Sequence, residues 1–233
     1  MATISILVPA AGCGSRAGTS GNKILAELCG HPLLWHTLRA LTAPAAYANG
    51  TRPAQLIIAA QRNEFPLIQP LLDELFAASP FSALQVEGGA TRQESVYNAA
   101  RAADGDLLMV HDAARPFASP SLLRRVIEAA QECGAALAAL PCPDTVKRAA
   151  PDGSVAATLD RSALWLAQTP QIFRREILLA ANALAVAEGF AGTDCASLVE
   201  RLPGQRVRLV PGEACNFKVT YPGDLERAAA LLA

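Results

Sequence analysis

The chain has 233 residues, of which 52% are hydrophobic and 18% charged, with a formal net charge of -1. That length suits one large domain, or one domain with an excursion, and the composition excludes a disordered chain and a polybasic nucleic-acid binder. Any anionic ligand must be held by local charge.

No stretch approaches the roughly 20 apolar residues of a membrane span. The apolar run 4–11 starts without a basic segment and runs into Gly12, so a signal peptide is not expected. The six cysteines, Cys13, Cys29, Cys133, Cys142, Cys195 and Cys215, form no Cys-x-x-Cys pair and no zinc-like spacing with His. They read as free thiols of a cytoplasmic protein.

In chain order, apolar runs of strand length at 4–9, 55–60, 84–87, 107–111 and 135–140 alternate with helical periods at 32–41, 64–77, 91–103 and 120–133. Pro32 stands at the N1 position of the first helix and Ser119 at the cap of the last. The alternation predicts an α/β fold, a Rossmann-like, mostly parallel twisted sheet flanked by helices on both faces. After Pro141 the rhythm changes. Short extended segments at 145–148 and 155–159 flank Pro151-Asp152-Gly153, a turn signal, and predict a projecting β-hairpin. An isolated two-stranded hairpin is marginal in water, so this arm, 142–163, is expected to pack on a second subunit. The chain returns through 164–173, helices at 174–188 and 194–201, strands at 207–210 and 216–220, and a closing helix at 222–232. Residues 1–233 read as a single domain with an arm.

The first strand feeds Pro9-Ala10-Ala11-Gly12-Cys13-Gly14-Ser15-Arg16-Ala17-Gly18. Glycines beyond a parallel strand let amide groups approach phosphate oxygens. Gly12-x-Gly14-x-x-Ala17 formally satisfies the dinucleotide fingerprint. Against that reading, the breaker-rich segment 18–22 stands where a helix should open, and the second strand ends in Ala59-Ala60-Gln61 with no acidic partner for a ribose. Arg16 and Lys23, seven residues apart, suit a triphosphate better than a diphosphate bridge.

Asp112, in His111-Asp112-Ala113-Ala114-Arg115-Pro116, ends the fourth strand and is placed either to hold Mg²⁺ against phosphates or to cap its turn paired with Arg115. His111 reads as a packed strand residue, and His31 and His36 offer no spacing argument. Gly88 and Gly89 could expose backbone to a base edge, with Arg92 and Ser95 as side-chain contacts; Thr91 and Glu94 also form a capping box. No Gly-x-Ser-x-Gly elbow is present, which disfavours a hydrolytic triad. Of the 20 basic residues only Lys23, Lys147 and Lys218 are lysines, so the lysines are enriched for sites where a compact ammonium works and a planar fork does not.

Together, Ala10-Ala11-Gly12-x-Gly14-x-Arg16 with Lys23, Gly88-Gly89-x-x-Arg92-x-x-Ser95-Val96, Val110-His111-Asp112-Ala113-Ala114-Arg115-Pro116, Asp144-Thr145-Val146-Lys147, Asp160-Arg161, Gln168-Thr169-Pro170-Gln171, Thr193-Asp194 and Lys218-Val219-Thr220 resemble the 2-C-methyl-D-erythritol 4-phosphate cytidylyltransferase family of nucleotidyltransferases. The Gly-x-Gly-x-Arg part is shared widely; the joint occurrence of Asp-Ala-Ala-Arg-Pro, Gln-Thr-Pro-Gln and Lys-Val-Thr is specific.

The resemblance implies in-line attack of methylerythritol phosphate on the α-phosphate of CTP, in the non-mevalonate isoprenoid pathway. It assigns Arg16, Lys23 and Lys218 to charge stabilisation and Asp112 to Mg²⁺. Pro9, Ala10, Ala11, Gly12, Gly14, Gly89, Ala90, Arg92, Ser95 and Ala113 fall to the nucleotide, largely through backbone. Arg115, Thr145, Arg161, Thr169 and Thr193 fall to the acceptor, Arg161 reaching from the arm of the other subunit of a homodimer. Lys147 receives no firm role. Asn22 and Ile24 stand where the family usually has Pro and Gln, which implies a loop more mobile without CTP. A sister cytidylyltransferase acting on ribitol 5-phosphate is the nearest rival, and a nucleotide-binding oxidoreductase a more distant one.

Overall fold

The computed structural model describes residues 2–12, 22–47, 51–77 and 82–232. Its first half contains β1 (Ala2–Pro9), the short pair β2 (Glu27–Leu28) and β3 (His31–Pro32), α1 (Leu33–Leu41), β4 (Thr51–Ala60), α2 (Phe65–Phe76), β5 (Ser82–Glu87), α3 (Arg92–Arg101) and β6 (Leu107–Val110). Then follow α4 (Pro120–Cys133), β7 (Ala135–Pro141), β8 (Lys147–Ala149), β9 (Val155–Thr158), β10 (Trp165–Arg174), α5 (Arg175–Glu188), α6 (Cys195–Val199), β11 (Arg208–Pro211) and α7 (Pro222–Leu232).

Seven of these strands form one sheet in the order β11-β7-β10-β6-β1-β4-β5. Every neighbouring pair is parallel except those of β10, which runs antiparallel to both β6 and β7. Helices cover both faces, so the central strands are apolar on both. Ile4, Ile6, Val8, Leu56, Ile58 and Met109 share one buried cluster with Leu33, Leu38, Ile68, Leu122 and Val126 of α1, α2 and α4. The alternate residues Leu7, Ile57, Leu108 and Val110 join Val96, Ala99, Leu178 and Leu198 of α3, α5 and α6. Pro53 is tolerated inside β4 because pairing with β5 begins only at Gln55; the register with β1 shifts there, Ile4 facing Pro53 and Ser5 facing Gln55.

Local chemistry sets the helix ends. The Ser119 side chain accepts from the Leu122 N–H, Pro120 follows it, and Gly134 ends α4 at φ +85°. Thr91 and Glu94 cap α3 reciprocally. Pro32 proves to be the cap of α1 rather than its first helical residue. The strand expected at 216–220 is irregular chain. Its neighbour is the turn after β6, which supplies the Ala114 carbonyl to the Val219 N–H but cannot supply a ladder.

The arm is present: β8 and β9 pair antiparallel, Lys147 facing Thr158, and the turn uses Gly153 at φ +84°. Val155 on it is 63% exposed. The strand order reverses at β1, with β4 and β5 on one side and β6 on the other. In such sheets the crevice beyond the carboxyl ends of the strands is where ligands sit.

Candidate active site

Two cavities lie beyond those strand ends. The larger, about 400 Å³, is lined by Pro9 at the end of β1 and Ala10, Ala11 and Gly12 after it, Lys23, the 89–91 loop with Arg92 and Ser95 of α3, Asp112 and Ala113 after β6, and Lys218. The smaller, about 270 Å³, is lined by Arg115, Gln168, Thr169, Gln171, Thr193 and Asp194. Arg92, Asp112 and Lys218 belong to both and form their common wall.

That wall is one carboxylate held by three cations. Asp112 Oδ1 accepts from Arg92 Nε at 3.1 Å and Nη2 at 3.0 Å; Oδ2 faces Lys218 Nζ at 3.1 Å and Arg115 Nε at 3.4 Å. Burial alone raises the Asp112 carboxyl, but Arg92, Lys218 and Arg115 outweigh it and hold the group below the usual carboxylate range. Main-chain contacts fix its position: the Asp112 N–H donates to the buried Thr169 hydroxyl at 3.0 Å, and the Arg115 N–H to the Asp112 carbonyl at 3.1 Å. His111, fully buried, has Nε2 3.0 Å from the Arg115 carbonyl. A carbonyl only accepts, so Nε2 carries the proton and closes the same turn. Arg115 in turn donates to the Asn216 carbonyl at 2.8 Å, tying the Lys218 segment to β6.

The larger cavity is braced from below. Asn22 donates to the Ala10 carbonyl at 2.7 Å, and Gln61 to the Ala11 carbonyl at 3.0 Å. Asn22 thus ties the Lys23 turn back to the end of β1 through its side chain, where Pro would have acted through its ring. Four consecutive amides of the 88–91 loop are committed internally: Gly88 to the Ala60 carbonyl, Gly89 to Ser95 Oγ, and Ala90 and Thr91 to Glu94 Oε2. Gly88 itself admits no side chain, because a Cβ there would lie 2.3 Å from that of Ala11. Residues 89 and 90 therefore have carbonyl oxygens left to offer at the cavity wall.

The structure brings together most of the residues singled out in the sequence. Gly14 and Arg16 lie outside the described residues. Thr145 and Arg161 line neither cavity of their own chain; Arg161 donates to the Pro143 carbonyl at 2.8 Å at the base of the arm. Gln168, Gln171 and Asp194 line the smaller cavity without having been given roles from the sequence. The signal for them was their place in the Gln-Thr-Pro-Gln and Thr-Asp segments that carry the family resemblance. Arg92 is turned onto Asp112 and, through Nη1, toward Cys195 Sγ at 3.7 Å. Burial raises the Cys195 thiol, so it stays neutral there.

The sequence matches the family model described as IspD, 2-C-methyl-D-erythritol 4-phosphate cytidylyltransferase, over residues 4–233. A Chromobacterium violaceum protein bearing that enzyme name is 45% identical over 231 residues, covering 97% of this chain and 96% of its own. A bifunctional enzyme IspD/IspF of Anaeromyxobacter is 48% identical, and the chain spans 57% of its length. The crystal structure of the Thermus thermophilus cytidylyltransferase superposes with a TM-score of 0.77 at 38% identity, covering 97% of each chain. With the match running the length of the sheet and through every segment that lines the two cavities, the chain belongs to the 2-C-methyl-D-erythritol 4-phosphate cytidylyltransferase family.

Proposed function

We propose that the chain joins CTP to 2-C-methyl-D-erythritol 4-phosphate, the larger cavity taking the nucleotide and the smaller the acceptor. An oxygen of the acceptor's 4-phosphate forms a bond to the α-phosphorus as the bond from that phosphorus to the leaving pyrophosphate breaks. The products are the cytidine diphosphate alcohol and pyrophosphate. The attacking oxygen is already anionic, so no general base is needed. The work is to bring two polyanions together and to stabilise charge growing at phosphorus. The observation that carries this reading is the common wall, where Arg92, Arg115 and Lys218 converge on Asp112 between the two cavities. Lys218 and Lys23 supply compact charges at the nucleotide, while Arg115 offers a planar fork to the acceptor phosphate. Arg16 is the third cation that the reading assigns to the nucleotide, beside Lys23 and Lys218.

Mg²⁺ is proposed at Asp112. Among the described residues no three His, Cys, Asp or Glu side chains converge, and a single carboxylate completed by phosphate oxygens is how this ion is commonly held. When bound, it neutralises phosphate charge. Asp112 lines the larger cavity, but both its oxygens are taken by Arg92, Lys218 and Arg115, so it would hold the ion only once bound phosphates draw those cations away. The arm, with Val155 63% exposed, and the neighbouring start of β10, with Trp165 and Leu166 exposed at 37 and 50%, are proposed to pair two copies so that Arg161 and Thr145 reach the partner's acceptor cavity. Among the described residues no helix is long and apolar enough to cross a membrane, and we place the enzyme in the cytoplasm. Pyrophosphate release with CTP and a panel of polyol phosphates tests the reading: turnover with methylerythritol phosphate well above ribitol 5-phosphate is expected, and the reverse order overturns it.

A further inference from the structure

We propose that Asp194, oriented by Gln171, accepts the hydroxyl groups of the acceptor and so selects a polyol tail; this rests on the reading of the smaller cavity as the acceptor site. Gln171 is 1% exposed and turns its amide onto one segment, its Nε2 also reaching the Gln168 carbonyl at 3.5 Å. Its Oε1 accepts from the N–H of Cys195 at 3.1 Å and of Ala196 at 3.2 Å, and its Nε2 donates to Asp194 Oδ2 at 2.7 Å. The two backbone donors decide which end of the amide is oxygen, so the nitrogen must face the carboxylate. Asp194 Oδ1 accepts from the Ser197 N–H at 2.9 Å. From the other side Gln93 donates to the Phe190 carbonyl at 3.2 Å and accepts from the Gly192 N–H at 2.9 Å. Two glutamines, one on α3 and one on β10, thus grip the segment on either side of Thr193.

A carboxylate has about four lone-pair sites. Gln171 and Ser197 take one on each oxygen, and Asp194 lines the cavity. The layout has a direction: cations stand on the wall shared with the nucleotide cavity, and this carboxylate stands beside Thr193. A ligand with phosphate at one end and hydroxyls at the other is complementary to both. A second acidic group on the tail is repelled, so phosphorylated sugar acids are rejected in favour of neutral polyol phosphates.

The test is a donor–acceptor swap. Asp194→Asn alone sets two N–H-bearing amides against each other. Combined with Gln171→Glu, the contact re-forms with its roles exchanged, while Cys195 and Ala196 keep their acceptor oxygen. The expected result is that the double variant melts near the parent, yet its KM for methylerythritol phosphate stays raised about tenfold to a hundredfold, the scale of one charge-assisted hydrogen bond. Its KM for CTP stays within about twofold, as for a change confined to the acceptor. A double variant whose acceptor KM returns to the parental value shows Asp194 to be structural and overturns the proposal. If the double variant does not fold, Asp194→Asn decides: a raised acceptor KM with unchanged CTP KM supports the proposal, and an unchanged acceptor KM overturns it. A parent chain that releases no pyrophosphate with any polyol phosphate overturns the cavity reading and the proposal together.

Discussion

Lys218 Nζ lies 3.1 Å from Asp112 Oδ2, on the carboxylate whose other oxygen Arg92 holds at 3.0 Å. The lysine arrives from an irregular segment fixed by the Val219–Ala114 and Arg115–Asn216 contacts, so its ammonium is placed by the backbone on either side of it. Lys218→Arg keeps the charge but spreads it over a larger fork. Turnover is expected to fall by about 10² or more, the scale of losing one oriented charge contact, with the melting temperature little changed. Steady-state pyrophosphate release beside a thermal melt checks this, and near-parental turnover would refute the need for a compact ammonium.

Base choice follows from the spent amides of residues 88–91. With their N–H groups on Ala60, Ser95 and Glu94, these residues present acceptors. Cytosine carries an exocyclic amine where uracil carries a carbonyl. CTP is therefore expected to be used over UTP by about tenfold to a hundredfold in kcat/KM, as for one mismatched hydrogen bond. Equal use of the two nucleotides would go against the geometry.

His111 gives the fold a pH dependence of definite sign. Burial is the largest cause pushing its imidazole down, to about 4. Above the ordinary value of about 6.5 both folded and unfolded chains hold it neutral. Between that pH and 4 the unfolded chain takes up a proton that the folded chain refuses, so stability falls with falling pH, by at most about 1.4 kcal/mol per unit. Denaturant midpoints at several pH values across this window should show a shallower slope for His111→Gln than for the parent. Identical slopes would place the loss elsewhere.

Arg161→Ala should weaken binding of the acceptor while leaving CTP binding unchanged. Mixing that variant with Lys218→Ala then tests whether sites are completed across subunits. If Arg161 serves the other chain's cavity, some mixed dimers contain one intact site and activity reappears. A mixture no more active than its components would confine Arg161 to its own chain.

The physical content of these segments explains which features can be read from one dimension. Buried parallel strands carry continuous apolar runs, so β1, β4 and β6 stand out. Ser119, Pro120 and Gly134 write the ends of α4 in local chemistry. An apolar run has no arrow, however, and nothing in residues 165–174 says that β10 runs against its neighbours. Residues 216–220 have the makeup of a strand but face a turn. The roles of Gln171 and Asp194 were illegible because their bond spans 23 positions and depends on where β10 meets α6. Arg92, expected at the base, lines the larger cavity and also holds Asp112, 20 positions away, a pairing that the packing of α3 on β1 and β4 creates.

Three guanidinium or ammonium groups on one carboxylate leave two positive charges in excess in the crevice between the two cavities. Such a basin does not discriminate among small oxyanions when its organic substrates are absent. Sulfate and inorganic phosphate from a purification buffer will lodge there, so rates measured in such media will understate the enzyme, and the released pyrophosphate will act as a brake on its own production.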